Sequence, residues 1–503
     1  MFPTNPVLPG FFPDPSVCRA GDRYVLANST FEYYPGLPVH VSDDLVHWQQ
    51  VASAVTDAVA LDFAEMGDSK GLYAPTVRYH DGTLYLVCTR VGGRGDGTED
   101  TAFLVTATDA AGPWSPPRWV AGADGFDPAL FFEGDRVYWC STRIVRPGAY
   151  PGECEVWVRE FDVHDAALVG EETVVWRGAL HGATWAEGPR IFARNGWYYL
   201  LTAEGGTFRD HAIVIARSRS ITGPYENCPR NPVLTHRHLG ADYPVQNVGH
   251  ADFVERPDGT WAAVLLAVRT EGRQHLLGRE TFLAEVTWED DWPVVNAGHG
   301  VLRDVGDRPL AYEQRPPSVE GALTVRGAPD FATEGRHGVR LASTGDGVTD
   351  GAGRPAALLY RLQHRLLQVE AEVVLDDPGA RVGLLLRQSS DHAVRVEVAD
   401  GTARVLHRQG DRETVVDAWA VSGTSFVLSA ELADGVRFAV DGRWSSPAPV
   451  DVLSSEVAGG FVGTTWGPYV EGAAGAAATV QALRYRSAGA ERPERARVGV
   501  AVA

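Results

Sequence analysis

Residues 187–204, EGPRIFARNGWYYLLTAE, contain in one short stretch the pattern that decides the fold. An acidic residue and a proline come first, an apolar run follows, and the pair Asn195-Gly196 then precedes an aromatic and β-branched run. Asn-Gly between two strand-like runs is a strong signal of a tight hairpin. The stretch therefore predicts two antiparallel strands with an acidic residue where the first strand begins.

The same pattern recurs along the first 300 residues. A turn pair precedes a strand-like run at five places: Gly21-Asp22, Asp81-Gly82, Gly134-Asp135, Asn195-Gly196 and Asp258-Gly259. The successive spacings are 60, 53, 61 and 63 residues, which suits the four short strands of one propeller blade. WD40 repeats are shorter and carry a Gly-His and Trp-Asp signature that this sequence lacks. We therefore predict a five-bladed β-propeller over residues 1–300.

The character of the chain changes after Pro293. Residues 301–320 are rich in proline and charge and are expected to form a linker. Beyond them apolar and polar residues alternate, as from Leu367 to Val373, with the period of a half-buried strand. Asp-Gly turns at 400, 434 and 441 favour a jelly-roll-like β-sandwich over 321–488, followed by a tail at 489–503. The predicted fold class is all-β, a propeller followed by a sandwich.

The composition excludes several kinds of partner. The formal net charge is −20, which would repel a nucleic acid. No apolar run has transmembrane length and the first residues lack a signal-peptide pattern, so we expect no membrane and a cytoplasmic location. The five scattered cysteines are expected to be buried, reduced thiols. A carbohydrate substrate would then be a small imported oligosaccharide, and a homo-oligomer is left open.

Acidic residues recur at one position of the repeat, about eight residues before each turn. The five positions are Asp14, Ala74 (or Tyr73), Asp127, Glu187 and His250. An Asp beside a Pro is a common turn pair, and a single one would be read as structural. In a propeller this position opens the strand that lines the central channel. Three carboxylates gathered there would repel one another and lose hydration, which packing does not require.

Such a group of carboxylates suits the cleavage of a sugar acetal. One carboxylic acid protonates the leaving oxygen, and a carboxylate opposite activates water or attacks directly. We assign the acid to Glu187, which has the longer side chain and lies between Trp185 and Pro189. Asp14, between two prolines, suits a fixed base. Asp127 would raise the pKa of the acid through like-charge repulsion.

These segments resemble glycoside hydrolase family 43, the β-xylosidase and α-L-arabinofuranosidase family. The resemblance lies in NPVLPGFFPDPSVCRAGDRYVLANSTFEYYPGLPVHVSDDLVHW (5–48), GLYAPTVRYHDGTLYLVCT (71–89), GFDPALFFEGDRVYWCSTR (125–143) and TWAEGPRIFARNGWYYLLTAEGGT (184–207). A looser likeness covers GGFVGTTWGPYVEG (459–472). The resemblance implies an enzyme, an inverting glycosidase that releases terminal pentose from short xylo- or arabino-oligosaccharides.

The resemblance also implies roles for single residues. Asp14 would be the general base, Glu187 the general acid and Asp127 the residue that tunes it, with base and acid about 6.5–9.5 Å apart to admit water. His250, Arg279, Phe31 and Tyr73 would bind the sugar. His250 is also a candidate for holding a central ion through waters; no metal or other cofactor is expected to be required, and a structural divalent ion such as calcium is left open.

Departures from the family pattern bear on the choice of sugar. Tyr73 stands where many β-xylosidases carry Trp, Arg190 follows Pro189 where His is common, and the loop at 145–154 offers Tyr150 in place of a Trp. β-D-xylosidase is the first expectation, and an α-L-arabinofuranosidase or a bifunctional enzyme is the alternative. Phe461 and Trp466 are the aromatic residues of the second domain expected to reach the pocket.

Two other classes of propeller remain as rivals. A fructan-cleaving enzyme shares five blades and three acids, but Phe126-Asp127-Pro128 replaces its Arg-Asp-Pro string, and its Asn-Asp-Pro-Asn-Gly opening is missing. A non-catalytic carbohydrate-binding propeller would be marked by substituted acids. All three acids are present here, which favours the enzyme.

Overall fold

Five antiparallel sheets form the first domain of the computed structural model, which describes residues 4–92, 101–303, 305–306, 313–315 and 317–487. Each predicted turn pair joins the first two strands of one sheet. Blade by blade, the strands are β1 (Ser16–Ala20), β2 (Arg23–Ala27), β4 (Gly36–Ser42) and β5 (Gln49–Val55); β6 (Gly71–His80), β7 (Thr83–Val91), β8 (Thr101–Ala107) and β9 (Arg118–Trp119); β10 (Phe126–Glu133), β11 (Arg136–Ile144), β12 (Cys154–Asp162) and β13 (Ala167–Trp176); β14 (Glu187–Arg194), β15 (Trp197–Glu204), β16 (Ala212–Ser218), β17 (Glu226–Asn227) and β18 (Leu234–Thr235); and β19 (Val245–Glu255), β20 (Trp261–Arg269), β21 (Glu280–Glu289) and β22 (Trp292–Val295).

The five sheets close into a ring. The first strand of each sheet, β1, β6, β10, β14 and β19, lies beside the first strands of both neighbouring sheets. An apolar cluster fills the space between each pair of neighbouring blades, with Leu26 of the first blade and Val264 of the last in one of them. This confirms the predicted five-bladed propeller, whose first strands line a central channel.

The second domain is a sandwich of two antiparallel sheets. One sheet has the order β25-β26-β38-β29-β34-β35-β36, with β23 paired to β38, and the other has the order β27-β37-β30-β31-β32-β33, with β28 paired to β37. The strands are β23 (Glu313–Arg315), β25 (Ala332–Gly335), β26 (Gly338–Ala342), β27 (Ala356–Ala357), β28 (Tyr360–Arg361), β29 (Leu367–Leu375), β30 (Arg381–Arg387), β31 (His392–Ala399), β32 (Thr402–Gln409), β33 (Arg412–Ala420), β34 (Ser425–Leu432), β35 (Val436–Val440), β36 (Arg443–Trp444), β37 (Thr465–Glu471) and β38 (Ala477–Ser487).

The alternation that predicted strands in this domain marks its core. Leu367, Val369, Ala371 and Val373 of β29 are buried in a cluster that takes apolar side chains from both sheets. The Asp-Gly pairs at 400, 434 and 441 lie between consecutive strands, as expected for tight turns. Within the segment predicted as a linker, β23 pairs with Leu483–Tyr485 of β38. The predicted tail at 489–503 lies outside the described residues.

Helical structure is scarce in both domains. The described residues contain one short α-helix, α1 (Ser455–Ala458), and 3₁₀ turns at Phe63–Glu65, Arg237–Leu239, Asn296–Gly298 and Asp451–Leu453. Nothing helical in the described part of the chain has the length and apolar character needed to cross a bilayer. The five cysteines are free and buried, as predicted.

The two domains are joined beside one mouth of the channel. Strand β3 (Tyr33–Tyr34) lies in the connection between β2 and β4 of the first blade and pairs with β24 (Thr324–Val325) at the start of the sandwich domain. One apolar cluster takes Phe31 and Tyr33 from the propeller and Tyr469 from the sandwich. The sandwich is therefore packed on the blade that carries Asp14.

Candidate active site

A backbone irregularity recurs at the same place in every blade. The residue there has a positive φ: 51° at Asp14, 40° at Ala74, 54° at Asp127, 59° at Gly188 and 45° at His250. In the last four blades the pairing of the first two strands shifts register at this point. Such bulges re-aim side chains, and non-glycine residues persist in the left-handed region only where the surrounding structure imposes it.

In the fourth blade the acidic residue is offset by one from the repeated position, within the one-residue tolerance of the sequence repeat. The left-handed position there is Gly188, so Glu187 lies one residue before the position that Asp14 and Asp127 occupy. His250 also departs from the expectation that this position opens the first strand, because β19 already begins at Val245. Since neighbouring residues of a strand face opposite ways, the offset gives Glu187 a different approach to the channel from the two aspartates.

Asp14 is almost fully buried and held by three side chains. Arg279 donates from Nη1 to its Oδ1 at 2.7 Å, Ser29 donates from Oγ to its Oδ2 at 2.7 Å, and Nδ1 of His250 lies 3.4 Å from its Oδ1. Burial by itself would raise the pKa of Asp14, but Arg279, His250 and Ser29 outweigh it and hold this pKa well below its usual range. Asp14 is therefore a fixed, ionised carboxylate.

Asp127 and Glu187 have the opposite electrostatic surroundings. Burial raises the pKa of Asp127, and the charge of Asp14 adds to this, although Arg190 and the N–H of Gly188 act against it. The pKa of Glu187 is raised well above its usual value, first by burial and then by the charges of Asp127 and Asp14. No side-chain hydrogen bond to Glu187 occurs within the described residues. Glu187 is therefore the carboxyl group best suited to keep a proton at neutral pH.

His250 is buried between two side chains of opposite charge. Its Nδ1 faces Asp14, and its Nε2 lies 3.4 Å from Nη2 of Arg190, which is itself fully buried. Because the guanidinium already lies against Nε2, this nitrogen is not placed to ligate a divalent ion directly, and an ion held by His250 through waters stays a prediction. Among the described residues there is also no cluster of three or more His, Cys, Asp or Glu that could hold a metal ion.

Arg279 links the carboxylate of Asp14 to the edge of the pocket. Besides Asp14, its Nη1 donates to Oγ1 of Thr207 at 3.2 Å and its Nη2 to the carbonyl of Phe461 at 3.4 Å. Its guanidinium carbon lies 5.7 Å from the ring centroid of Phe31 and 5.6 Å from that of Phe461. Arg279 is therefore in contact with both domains.

Three aromatic rings form a wall beside Asp14 and Arg279. The ring of Phe31 lies 4.7 Å from that of Tyr73, edge to face, and 6.0 Å from that of Phe461, nearly parallel. Phe461 belongs to the sandwich domain, and Ser69 of the propeller fixes it by accepting its backbone N–H at Oγ, 3.0 Å away. The hydroxyl of Tyr73 donates to the carbonyl of Ser69. The sandwich therefore completes the wall, and we name these three rings the aromatic wall.

Of the two aromatic residues expected to reach the pocket, Phe461 lies beside Phe31 and Arg279, and the expectation for Trp466 is wrong. Trp466 is buried in the core of the sandwich, where its ring lies 5.4 Å from that of Tyr360 and 6.0 Å from that of Tyr485. Its position in β37 turns it towards the other sheet. Tyr150 donates its hydroxyl to the carbonyl of Ala183, which fixes it near the start of the fourth blade.

Some residues around the acids were not predicted from the sequence. Ser29 binds Asp14 and also accepts the backbone N–H of Ala74 at 2.6 Å, which joins the first two blades. Ser69 orders the aromatic wall from a loop without any motif. Arg190 differs from its neighbours in the sequence only by departing from the family pattern. The short polar side chains of Ser29 and Ser69 give no signal in the repeat that could have identified them.

Comparisons with known proteins agree with this architecture. The family model described as glycosyl hydrolases family 43 matches residues 3–293. The chain is 47% identical over 305 residues to a xylosidase/arabinosidase of Butyrivibrio fibrisolvens, covering 60% of this chain and 57% of that protein. It is 42% identical over 303 residues to a non-reducing end alpha-L-arabinofuranosidase of Bacteroides ovatus, covering 60% and 54%. The matches thus span little more than half the length of these relatives.

The likeness to solved structures extends over both domains. A xylan beta-1,4-xylosidase from Bacillus halodurans C-125 superposes with a TM-score of 0.87 at 28% identity, covering 97% of this chain and 100% of that one. The match of the family model spans more than half of the chain and includes Asp14, Asp127 and Glu187. The resemblance seen in the sequence is confirmed: the chain belongs to family 43 of the glycosyl hydrolases.

Proposed function

We propose that this protein is an exo-acting, inverting glycosidase that releases terminal pentose from short xylo- or arabino-oligosaccharides, with β-D-xylosidase as its main activity. Glu187 gives its proton to the leaving glycosidic oxygen. Asp14 takes a proton from a water whose oxygen attacks the anomeric carbon from the opposite face. The configuration at that carbon is thereby inverted, and Asp127 keeps the acid protonated.

The opposite electrostatic surroundings of the carboxyl groups carry this proposal. Arg279 and its neighbours hold Asp14 ionised, while burial and two negative charges raise the pKa of Glu187. Titratable groups whose surroundings push their pKa values apart are the pattern expected for an acid and a base. The spacing of about 6.5–9.5 Å expected between base and acid in an inverting enzyme stays a prediction.

Exo action is supported by the domain arrangement. Phe461 brings the sandwich to the aromatic wall, and its carbonyl accepts from Arg279, which also binds Asp14. A pocket bounded by a second domain accommodates a chain end more readily than the middle of a polymer. Short oligosaccharides are therefore the proposed substrates.

α-L-Arabinofuranosidase activity is the second candidate. Tyr73 of the aromatic wall occupies the position at which, by the family resemblance, many β-xylosidases carry Trp. Its hydroxyl donates to the carbonyl of Ser69. Relatives are described both as a xylosidase/arabinosidase and as an arabinofuranosidase. One pocket that accepts both pentoses would account for these observations.

The deciding experiment compares nitrophenyl β-D-xylopyranoside and nitrophenyl α-L-arabinofuranoside side by side, with proton NMR of the sugar first released. Faster hydrolysis of the xyloside with an inverted product supports the proposal. Faster hydrolysis of the arabinofuranoside selects the second candidate. A retained product would overturn the inverting mechanism, and a folded protein inert on both would indicate a carbohydrate-binding propeller. Asp14→Asn, purified in parallel, controls for contaminating hydrolases.

We also propose that the protein works in a reducing compartment such as the cytoplasm and that it requires no cofactor. The five buried, free cysteines support the first part, since no disulfide stabilises the fold. The contact of Arg190 with His250 supports the second part. Dialysis against a chelator should leave the rate unchanged, and a loss restored by calcium would contradict the proposal.

A further inference from the structure

Arg190 lies inside the channel, and none of the described carboxylates is its own close partner. Its side chain is fully buried, and its Nε has no hydrogen-bond partner within the described part of the chain. Asp252 is 3.9 Å away, but it is occupied by Arg78, which donates to it at 2.8 and 3.2 Å, and by Ser16 at 2.8 Å. An ion pair with Asp252 therefore does not explain the position of Arg190.

The guanidinium instead faces the catalytic region. Nη1 donates to the carbonyl of Pro189 at 3.0 Å, and Nη2 to the carbonyl of Pro75 at 3.4 Å. The same Nη2 lies 3.4 Å from Nε2 of His250. These carbonyls, from two different blades, hold the guanidinium in place against the imidazole.

The chemistry of the two groups decides which ring nitrogen carries the hydrogen. A guanidinium has only donors and stays protonated in proteins, so Nε2 of His250 must offer it a lone pair. An imidazolium would direct an N–H at a fixed positive charge. The hydrogen of a neutral ring is then on Nδ1, the nitrogen that lies 3.4 Å from Oδ1 of Asp14.

We propose that Arg190 is a positioning residue, which fixes His250 as the neutral Nδ1–H tautomer and so makes it a hydrogen-bond donor to Asp14. The proposal rests on the proposed function, in which Asp14 is the base. It also identifies the reacting oxygen. Oδ1 accepts from both Arg279 and His250, whereas Oδ2 has one short hydrogen bond, from Ser29, and a contact of 3.5 Å with Arg279. Oδ2 is the oxygen that takes the proton of the attacking water.

The direct test is the tautomer of His250 in the complete, resting protein. Two-bond ¹H–¹⁵N correlation spectra of protein labelled with [¹⁵N]histidine distinguish Nδ1–H, Nε2–H and imidazolium forms, and His250→Asn identifies the signals. We expect Nδ1–H at about pH 7. An Nε2–H or doubly protonated ring would overturn the proposal. The spectrum does not depend on turnover. A failure of this proposal can therefore be distinguished from a failure of the proposed glycosidase activity.

Two substitutions test the part played by Arg190. Arg190→Met keeps a long side chain but has no donor, and we expect mixed ring forms together with a loss in kcat of about 10- to 100-fold, the usual scale for groups that orient a functional histidine. Arg190→Lys keeps a charged donor and should retain the tautomer and most of the rate. KM should change by less than about twofold in both, because Arg190 is fully buried and its guanidinium contacts His250 and two backbone carbonyls.

Arg78→Met is the matched control, since Arg78 is a channel arginine that binds Asp252 and not His250. It should leave the tautomer of His250 unchanged. A wild-type tautomer and kcat in Arg190→Met would overturn the proposal, as would an equal loss in Arg190→Lys and Arg190→Met. If Arg190→Met fails to fold by circular dichroism, the wild-type spectrum and Arg190→Lys decide the question.

Discussion

The backbone N–H of Gly188 donates to Oδ2 of Asp127 at 3.0 Å, which ties this carboxylate to the peptide that follows Glu187. The hydrogen bond crosses from the third blade to the fourth. It places a negative charge beside the carboxyl group whose pKa burial has already raised. The link between the two acids is therefore built into the bulge at which the first strands of both blades enter the channel.

Asp127→Asn should move the basic limb of the pH profile of kcat/KM to lower pH. Glu187 acts in its protonated form, so activity is lost as pH rises through its pKa, and removing the charge of Asp127 lowers that pKa. The amide oxygen of Asn can still accept from Gly188. Asp135→Asn, in the exposed turn of the same blade, should leave the limb in place. A limb that stays unchanged or moves to higher pH in Asp127→Asn would contradict the tuning role.

Glu187→Ala should lose activity according to the leaving group. Xylobiose needs a proton on its leaving oxygen, and kcat/KM on it should fall by about 10²–10⁴-fold. A nitrophenolate leaves without much protonation, so the loss on the nitrophenyl xyloside should be much smaller. Glu171→Ala, on the exposed edge of the third blade, is the control. Equal fractional losses of kcat/KM on both substrates would show that Glu187 is not the general acid.

Asp14→Ala should lose activity on every substrate, whatever the leaving group, because no other carboxylate in the site is held ionised in the same way. The expected loss in kcat is at least about 10²–10⁴-fold on both xylobiose and the nitrophenyl xyloside. Asp22→Ala, in the turn of the same blade, should behave like the wild type. Substantial nitrophenyl hydrolysis by Asp14→Ala would exclude Asp14 as the base.

Local sequence patterns predicted the blades well. The features of the site that they did not predict depend on contacts between residues far apart in the sequence. The Asn195-Gly196 turn and the alternation in β29 depend on neighbouring residues, so the sequence shows them directly. The offset of Glu187 depends on which residue takes the left-handed conformation, and the repeat could not distinguish Glu187 from Gly188. The hydrogen bond between Ser69 and Phe461 joins residues 392 positions apart, beyond any local period.

The wrong expectation for Trp466 has the same cause, because the sequence does not show how distant segments pack. Trp466 and Phe461 are aromatic residues of one segment, and composition gives no reason to separate them. Phe461 precedes β37 and reaches the propeller, whereas Trp466 lies within β37 and turns into the sandwich core. Strand direction and domain packing, and not residue type, decide which ring joins the aromatic wall.

Phe461→Ala should weaken sugar binding more than it slows the chemical step. The substitution removes one ring of the aromatic wall but keeps the carbonyl that accepts from Arg279. Aromatic contacts of this kind contribute about 0.5–1.5 kcal/mol, so KM for xylotriose should rise roughly 2- to 10-fold with kcat changed less. Ser69→Ala should show the same trend. The control is Trp444→Ala, which changes an exposed aromatic residue at the edge of the sandwich. An unchanged KM in Phe461→Ala would show that the sandwich domain does not contribute to sugar binding.

Asp68 is the main ionic connection between the propeller and the sandwich beside this wall. It accepts from Arg326 at 2.7 Å and from Arg387 at 2.8 Å, both fully buried, and from the backbone N–H of Ser390 at 2.8 Å. Burial alone would raise its pKa, but Arg387, Ser390 and Arg326 outweigh burial and lower the pKa from 3.8 to about 2. The neighbouring Ser69 orders Phe461, so this connection also supports the pocket.

Asp68→Asn should lower the free energy of unfolding by about 3–5 kcal/mol at neutral pH, because buried Arg326 loses its carboxylate and buried Arg387 keeps only the more distant Glu32, 3.6 Å away. The folded-state pKa of Asp68 lies below its value of 3.8 in an unfolded chain. Its stabilising contribution is therefore complete above pH 3.8 and is lost as pH falls towards about 2. Urea unfolding followed by tryptophan fluorescence should show the gap between wild type and variant narrowing over that range by roughly 2 kcal/mol, the amount that this pKa shift represents. Asp43→Asn, at a surface carboxylate that pairs with the exposed Arg23, should differ from wild type by less than about 0.5 kcal/mol throughout. A gap for Asp68→Asn that stays constant down to about pH 2 would show that the carboxylate charge is not what holds the two domains together.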